Sequence, residues 1–536
     1  MPKNNEVKFE DYFNLPNPGL KSYFDIVRKG QPEEYRTTFA KGSSVQQVLD
    51  EWTPTLEKLS DKYPSLVEFE NDLKAKVGPM SIMKPLDQRM SDIDHYYDDI
   101  HLPSTPVSDS AIKAVLSEFK MVKGLTPRSQ QKTVDLMKKS TNSGAPYFTK
   151  RKNVVKKTVP VANTIMGDEV WTFLNYQVGR NNNKHWLASA ILGWRGQEGG
   201  PTPDDVKQRV VWMFPFSVNI DELTVYQPLI ESCQKFNLVP AWVSMESVDL
   251  SITRMFDTKG KDDVVICTDF TKFDQHFNSH MQDAAYRILN GILNTSAASE
   301  NWLGSVFPIK YMIPLTYDYG KVRVGKHGMG SGSGGTNADE TLAHRALQYE
   351  AALRSHTKLN PYSQCLGDDG VLTFPGITVD KVMEAYTAHG QEMNQSKQYV
   401  SKHDCVYLRR WHHTDYRIGG VCAGVYSTYR ALGRLMEQER YYDPDVWSSK
   451  MVALRQLSII ENVKYHPLRT EFAEFCMQRD KYHLGIDIPG FLDDIDRIAK
   501  EAIDLMPDFL GYTKSMTKEQ TGLSSWWIVN YLKSKR

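Results

Sequence analysis

The sequence predicts an α+β fold, because strand signals occupy the middle of the chain and helical signals occupy its two ends. Residues 264–268 form a compact apolar run that is typical of a buried strand. Residues 363–374 contain two strand-like runs that flank the dipeptide Asp369-Gly370. This dipeptide favours a hairpin, since glycine adopts a positive φ without strain.

Apolar residues at helical spacing predict helices on both sides of these strands. The spacing appears over residues 45–59 and 112–122, where Pro127 follows as a stop signal. Beyond residue 426 the chain turns helical again, and Asp443-Pro444 is expected to cap and begin a helix. We expect these apolar faces to lie in the core.

The composition excludes a globally basic nucleic-acid binder and a zinc-binding chain. The 536 residues carry 65 basic and 65 acidic side chains, so a nucleic acid would have to be held by local basic patches. The six cysteines form no C-x-x-C pair, and we expect buried thiols in a reducing compartment. The start of the chain lacks a basic-then-apolar signal and no apolar run has membrane-spanning length, so we expect a protein of the cytoplasm or an equivalent interior.

Three aspartates at strand ends form the strongest candidate site. Asp368 and Asp369 lie at the predicted hairpin, where adjacent carboxylates repel each other unless water or a divalent cation neutralises them. An acidic surface turn is the alternative explanation. Asp269 directly follows the strand at 264–268, and Asp274 begins a helical stretch, where capping alone would explain it. If folding brings the two elements together, their carboxylates form a site for two Mg²⁺ ions and for nucleotidyl transfer.

Residues 328–336 are the most glycine-dense part of the chain. They precede a helix that we predict over 338–353, with Thr336 and Asp339 as a capping box. So much glycine indicates either close approach of a ligand to the backbone or a hinge.

Two basic segments are candidates for binding phosphate groups. Seven lysines and arginines between positions 138 and 157 have no acidic residue among them, which is typical of a solvated face or of a groove that follows a phosphate backbone. Farther on, Lys207 and Arg209 alternate with apolar residues. A strand would place both cations on one face, where they could grip a polyphosphate.

Taken in chain order, these features resemble the motifs of the viral RNA-dependent RNA polymerases. Seven elements stand in that family's unpermuted order, and the chain length and the Gly-Ser-Gly-Ser-Gly-Gly-Thr-Asn loop look most like the picobirnavirus polymerases, with the partitivirus polymerases second. The matching residues are Thr141, Ser143, Gly144, Pro146 and Tyr147 for motif G; Lys207, Arg209, Val211 and Trp212 for motif F; Asp269 and Asp274 for motif A; Ser331, Gly332 and Thr336 for motif B; Gly367, Asp368 and Asp369 for motif C; Lys397 for motif D; and Tyr407, Leu408, Arg409 and Arg410 for motif E.

The resemblance implies a right-hand polymerase of fingers, palm and thumb, encircled by fingertips. The implied regions are an N-terminal region bridging fingers and thumb (1–130), fingers (131–262 and 281–327), palm (263–280 and 328–425), and a helical thumb with a C-terminal tail (426–536).

The resemblance also implies roles for individual residues. Asp269 and Asp368, with Asp369 as a weaker partner, would ligate Mg²⁺, for which Mn²⁺ could substitute. Lys397 would protonate the departing pyrophosphate. The other implied contacts are Lys207, Arg209, Asp274, Ser331, Gly332, Thr336 and Asn337 with the nucleotide, and Ser143, Gly144, Pro146, Lys150, Arg151, Arg409 and Arg410 with template or product.

One position departs from the family pattern. Many relatives have asparagine four residues after the motif B threonine, but Glu340 stands there, and we expect Asn337 to help Asp274 read the ribose 2′-OH instead. A reverse transcriptase resembles the chain less, because that family usually has a bulky residue where Asp274 stands.

Two other function classes remain as alternatives. Gly330 to Gly335 match the G-x-G-x-x-G pattern of a nucleotide-binding oxidoreductase, but the strand expected at 322–324 ends too early for a dinucleotide-binding unit. A non-catalytic, capsid-associated RNA-binding protein would explain the basic segment without requiring paired carboxylates.

The expected partners are single-stranded and double-stranded RNA, ribonucleoside triphosphates and a viral capsid protein. The resemblance implies that a double-stranded RNA genome is copied and transcribed inside a capsid. We therefore expect a monomer that acts in the virion interior and the host cytoplasm, without a membrane.

Overall fold

The structure, a computed structural model, describes residues 7–166, 171–177, 183–505 and 522–536. Residues 1–6 of the predicted N-terminal region and residues 506–521 of the predicted C-terminal tail lie outside these ranges. Among the described residues, no helix is long and apolar enough to cross a membrane. All six cysteines are free and buried, as predicted.

Helices are the most abundant elements of the described structure. They are α1 (Pro18–Lys29), α2 (Val45–Leu56), α3 (Pro64–Lys74), α4 (Met90–Asp98), α5 (Asp109–Glu118), α6 (Gln130–Leu136), α7 (Val155–Thr158), α8 (Phe216–Lys235), α9 (Pro240–Val243), α10 (Met245–Thr258), α11 (Ser279–Ile292), α12 (Ala297–Ser305), α13 (Thr336–Arg354), α14 (Val379–Thr387), α15 (Thr428–Met436), α16 (Ser449–Glu461), α17 (Arg469–Met477), α18 (Ile495–Leu505) and α19 (Trp527–Lys535).

The strands form small sheets that are mostly antiparallel. They are β1 (Asn163–Met166), β2 (Trp171–Gln177), β3 (Asn183–Leu187), β4 (Ala190–Gln197), β5 (Lys207–Met213), β6 (Val265–Thr268), β7 (Leu315–Asp318), β8 (Lys321–Arg323), β9 (Gln364–Leu366), β10 (Asp369–Leu372), β11 (Tyr399–Ser401), β12 (Asp404–Tyr407), β13 (Arg410–His413) and β14 (Val425–Tyr426). The predicted mixture of helix and sheet is thus confirmed.

The central sheet has the strand order β11-β6-β10-β9, and each neighbouring pair is antiparallel. All four residues of β6 are buried, as the apolar run predicted. Helices α11 and α13 share a hydrophobic core with this sheet. A second sheet, β5-β4-β7-β8, carries the predicted basic strand, whose first and third residues, Lys207 and Arg209, are both exposed.

The N-terminal part of the chain packs against two separate cores. Its first helix and the residues before it pack with β4, β5 and β7 through Phe13, Phe24 and neighbouring apolar side chains. Helices α2 and α3 pack instead with the C-terminal helices α15 to α19, where Trp52 is buried. Residues 12–77 therefore connect the second sheet with the C-terminal helical region.

The hairpin at 363–374 forms, but its turn lies elsewhere than the sequence suggested. Asp369 pairs with Leu366 inside the ladder, so the two turn residues are Gly367 and Asp368. Gly367 has a φ of 58°, which glycine adopts without strain at the first position of a tight hairpin turn. The prediction that Asp369-Gly370 forms the turn was wrong, because Gly367 supplies the positive φ.

Three predicted helix caps were also wrong. Helix α11 begins at Ser279 with Asn278 as its cap, so Asp274 lies in a turn and caps nothing. Helix α13 has Gly335 as its cap, because Asp339 points into the core and accepts a hydrogen bond from Tyr311 Oη at 2.5 Å.

The third incorrect cap concerns the C-terminal region. The Asp443 carboxylate accepts a hydrogen bond from Asp445 N at 2.9 Å and closes a local turn. The helix starts later, at Ser449, because the Ser448 hydroxyl caps it by accepting from Met451 N at 3.3 Å.

A short N-terminal strap, residues 35–37, crosses the end of α15. Thr37 N donates to Met436 O at 2.9 Å, and Gln438 N donates to Tyr35 O at 2.8 Å. Glu437 is buried beneath this strap, and burial together with the neighbouring Glu34 carboxylate raises its pKa to about 9. The folded protein therefore holds a proton on Glu437 that the unfolded chain releases above about pH 4.3.

We expect stability to fall between about pH 5 and pH 9, because the unfolded chain binds fewer protons there than the folded chain. Glu437→Gln cannot ionise and should raise Tm at pH 8.5 by roughly 1–3 °C, with the difference shrinking towards pH 5. Thermal unfolding followed by circular dichroism measures this effect. Glu33→Gln, a change at an exposed glutamate of the adjoining segment, is the control. Equal pH slopes for the wild type and Glu437→Gln would contradict the assignment.

Candidate active site

Asp269 and Asp368 lie at the same end of two paired strands. Asp269 directly follows β6, Asp368 directly precedes β10, and the last ladder pair before them joins Thr268 to Gly370. Desolvation by the surrounding protein raises the pKa of Asp368, Arg209 lowers it, and the Asp269 carboxylate raises it further. The pairing of β6 with β10 therefore brings Asp269 and Asp368 to one end of the central sheet.

Asp369 points away from this pair. Its Oδ2 accepts a hydrogen bond from Leu408 N at 2.8 Å, in the turn between β12 and β13. Burial raises the pKa of Asp369 to about 7, and the Asp368 charge adds to the shift. One oxygen of Asp369 is thus used to fix the β12–β13 hairpin.

Asp274 meets Glu340, and not Asn337, at the edge of the site. Burial is the main cause that raises the pKa of Asp274 to about 6, and the Glu340 carboxyl is hydrogen-bonded to it. Burial and the Asp274 charge hold the pKa of Glu340 well above its usual range, so the two acids share a proton. Asn337 Oδ1 instead accepts from Trp242 Nε1 at 2.7 Å. The prediction that Asn337 stands in for the family's asparagine was therefore wrong.

The two cations of β5 face this group of acids. The Arg209 charge acts on both Asp274 and Asp368. Its Nε and Nη2 also donate to Gln197 Oε1 at 3.0 and 2.8 Å, which holds the guanidinium in place. Burial, together with nearby Lys76, Arg209 and Arg409, lowers the pKa of Lys207. Arg209 and Arg409 therefore place positive charge beside the carboxylates, and Lys76 and Lys207 lie close to these arginines.

The glycine-rich loop packs on the backbone of β5. A Cβ on Gly332 would lie 1.6 Å from Trp212 O, so only glycine fits there. The Ser331 hydroxyl accepts from Trp212 N at 3.3 Å, and Thr336 Oγ1 donates to Gly330 O at 3.1 Å. In this structure Ser331, Gly332 and Thr336 shape the loop that borders the site.

A buried glutamate on α8 holds the same glycine-rich loop through hydrogen bonds. Glu222 on α8 accepts from Gly334 N at 3.1 Å and from the Ser333 hydroxyl. Burial raises its pKa to about 7, and nearby Lys310 lowers it. Sequence reasoning missed Glu222, because its position in an otherwise ordinary helix carries no motif.

The motif E arginines have different environments. Arg409 has a half-exposed side chain and lies 4.0 Å from Glu198, next to the acids. Arg410 is buried and donates to both oxygens of Asp249, at 2.7 and 3.0 Å. The prediction that Arg410 contacts RNA was wrong, because its guanidinium is engaged inside the protein.

The predicted motif G loop is largely buried. Ser143, Gly144 and Pro146 are buried, and Phe216 N donates to Ser143 O at 2.8 Å. Arg151 stacks over the Phe216 ring at 5.2 Å and donates to Lys138 O at 3.3 Å, so its charge is used within the protein. Lys150 is exposed. Of these five residues, Lys150 best fits the predicted contact with template.

Lys397 is exposed on a short 3₁₀ turn, Gln395–Lys397, that leads into β11. Strand β11 pairs with β6, which brings this turn beside Asp269. The next residue, buried Gln398, donates to Asp269 O at 2.9 Å and accepts from Asp269 N at 2.8 Å. Gln398 was not predicted, since only the register of β11 on β6 places it there.

The fold and this site define the palm of a polymerase. Two aspartates extend from neighbouring strands of a small antiparallel sheet, and a glycine-rich loop and a basic strand border them. Mg²⁺ commonly binds through one or two carboxylates, waters and substrate phosphates. Exposed Asp269 and Asp368 suit that coordination, although the described residues contain no group of three or more side chains spaced as a complete metal cage.

Comparisons with known proteins agree with this class. Residues 31–417 match the family described as viral RNA-dependent RNA polymerase. A protein named "Potential RNA-dependent RNA polymerase" from human picobirnavirus (strain Human/Thailand/Hy005102/-) is 61% identical over 532 residues, which cover 98% of each chain.

Solved structures show the same similarity over the whole chain. The crystal structure of the RNA-dependent RNA polymerase of a human picobirnavirus has a TM-score of 0.94 and 59% identity, and its insertion loop deletion mutant has 0.92 and 58%. Both matches cover 100% of this chain and 99% of the other. The chain belongs to the viral RNA-dependent RNA polymerases and is an RNA-directed RNA polymerase. The oxidoreductase, reverse transcriptase and non-catalytic alternatives are thereby set aside.

The two motif E arginines should respond differently to alanine. Arg410→Ala leaves the Asp249 carboxylate buried without its partner, which costs about 3–5 kcal/mol and should lower Tm by roughly 3–5 °C. Arg409→Ala removes a half-exposed side chain beside the site, so it should leave Tm nearly unchanged and reduce RNA synthesis. Thermal unfolding and a primer-extension assay on both variants separate the two roles. Equal losses of Tm would contradict the distinction.

Proposed function

We propose that this polymerase copies RNA by a two-metal mechanism in which Asp269 and Asp368 hold two Mg²⁺ ions, for which Mn²⁺ can substitute. The observation that carries the proposal is the pairing of β6 with β10, which sets both carboxylates at one sheet end beside Arg209. The bound ions would activate the attacking hydroxyl and stabilise the leaving phosphate oxygen.

The side chains of the chain itself position the substrate and move one proton. Lys207 and Arg209 pair with the triphosphate, Lys as a point charge and Arg through its planar fork. The 3′-hydroxyl of the growing RNA gives up its proton to solvent, its oxygen forms a bond to the α-phosphorus, and the bond from that phosphorus to pyrophosphate breaks. Lys397 then donates a proton to the departing pyrophosphate. Arg409 and Lys150 contact product and template.

Ribose recognition is assigned to Asp274 together with Glu340. The two hydrogen-bonded acids lie beside Asp368, so the sugar of a nucleotide at the metals would lie against them. The shared proton lies between the two acids, so their remaining carboxyl oxygens are free to accept a hydrogen bond from a 2′-hydroxyl. Glu340 thus takes the position in which many relatives have asparagine.

The similarity to picobirnavirus polymerases supports our proposal for the wider setting. Single-stranded RNA as template, double-stranded RNA as product and ribonucleoside triphosphates are the substrates that an RNA polymerase requires. We place the enzyme, as a monomer, with a capsid protein in the virion interior and in the host cytoplasm, where it replicates and transcribes a double-stranded RNA genome.

Asp368→Ala should abolish RNA synthesis, with a loss of roughly a thousandfold or more, because the metals lose one of their two carboxylates. A primer-extension assay with Mg²⁺ and ribonucleotides measures the loss, and circular dichroism checks the fold. Asp262→Ala removes an exposed acid that lies just before β6 and should keep normal activity. Near-normal synthesis by folded Asp368→Ala would refute the site.

Glu340→Ala should lower the preference for ribonucleotides over deoxyribonucleotides by roughly tenfold, because Asp274 loses its hydrogen-bond partner. Asn337→Ala should leave that preference unchanged, since Asn337 bonds to Trp242. The ratio of kcat/KM for ATP and dATP measures the effect, and Glu340→Gln should lie nearer the wild type. A larger effect of Asn337→Ala would reverse the assignment.

A further inference from the structure

The side chain of Gln398 is fully hydrogen-bonded to backbone groups near the catalytic carboxylates. Its Oε1 accepts from Asp269 N at 2.8 Å, and its Nε2 donates to Asp269 O at 2.9 Å and to Asn394 O at 3.0 Å. The residue is 9% exposed. The whole primary amide, with both of its hydrogens, is therefore used within the protein.

These partners fix the orientation of the amide. Asp269 N–H can only donate, and the carbonyls of Asp269 and Asn394 can only accept. A rotation that exchanged the amide oxygen and nitrogen would place a donor against a donor and an acceptor against two acceptors. The observed orientation is the one in which all three hydrogen bonds form.

The amide replaces a missing pair at the end of the central sheet. Strands β11 and β6 are paired from Ser401–Val265 to Tyr399–Cys267. Next to Asp269 the chain that precedes β11 forms the 3₁₀ turn Gln395–Lys397, and antiparallel pairing resumes only at the bridge between Thr271 and Glu392, so among the described residues no backbone group of this segment pairs with Asp269. The side-chain amide of Gln398 takes the place of the backbone N–H and C=O of a strand residue. It hydrogen-bonds to the backbone of Asp269 and so continues the pairing to that residue.

We propose that Gln398 is a positioning residue for nucleotidyl transfer: it holds the backbone of Asp269 so that the carboxylate meets the metal ions in a fixed place. The inference rests on the proposed role of Asp269 as a metal ligand. A ligand on an unpaired strand end would sample several positions, and each position would have to be restricted before the ions bind. Pairing of its backbone removes that freedom in advance.

The same amide also sets the position of the predicted proton donor. Asn394 begins the turn that carries Lys397, and its side chain accepts from Ser396 N at 3.0 Å. Since one Nε2 hydrogen binds Asn394 O and the other binds Asp269 O, the turn and the metal ligand are held at a fixed separation.

The test compares Gln398→Met with Gln395→Met in the full-length protein. Both changes remove a primary amide of equal length from the same turn region, but Gln395 is exposed and donates only to Asp380 among the described contacts. Activity is measured as a function of Mg²⁺ concentration at saturating template and ribonucleotides, and Mn²⁺ binding to the protein without RNA is measured by isothermal titration calorimetry, both at a temperature where both variants are folded by circular dichroism.

For Gln398→Met we expect a roughly 10–100-fold lower kcat and a rise in the Mg²⁺ concentration for half-maximal activity, with a smaller change in nucleotide KM. Gln395→Met should match the wild type. Gln398→Glu keeps the acceptor for Asp269 N but sets a carboxylate against two carbonyls, so it should be impaired at least as much and show the same Mg²⁺ shift. This second variant reports on the amide if the methionine variant fails to fold.

An unchanged Mg²⁺ dependence in folded Gln398→Met would overturn the inference, whether or not the rate falls, because a merely structural loss would not move metal affinity. That result would leave the proposed function intact, because the proposed function is tested separately by the Asp368→Ala variant. Full activity of Asp368→Ala would remove both.

Discussion

Like charges held side by side are the constraint on which the rest of this site depends. Buried apolar residues fix the pairing of β6 with β10. This register places Asp269 and Asp368 at the same end of the sheet, so the two carboxylates cannot move apart while the strands stay paired. Desolvation is the main cause of the raised pKa of Asp368, and the Asp269 charge adds to it. Arg209 and Arg409 offset part of this cost, and the proposed metal ions would offset the remainder.

The compensating groups come from distant parts of the chain. Arg209 extends from the second sheet, and Arg409 extends from the turn between β12 and β13, which Asp369 anchors through Leu408 N. Glu198, which follows β4, is paired with Arg430 on α15 and lies 4.0 Å from Arg409. Correct placement of charge at the catalytic end of the central sheet thus requires the second sheet and the C-terminal helices to be docked together.

Much of this arrangement could be predicted from the sequence, because it depends on local patterns. The apolar run of β6, the strand carrying Lys207 and Arg209, and the aspartates at strand ends are all properties of short segments. The errors have a common physical origin in contacts between distant segments. Asp339 turned inward to Tyr311, Arg410 met Asp249, and Asn337 met Trp242, and none of these partners is near in sequence. Gln398 and Glu222 were missed for the same reason.

The connection made by residues 12–77 limits how the molecule moves. These residues pack with the second sheet at one end and with the C-terminal helices at the other. They therefore restrict the movement of the second sheet away from the C-terminal helices. RNA bound between the second sheet and the C-terminal helices would therefore have to enter and leave by its ends on the side that residues 12–77 close.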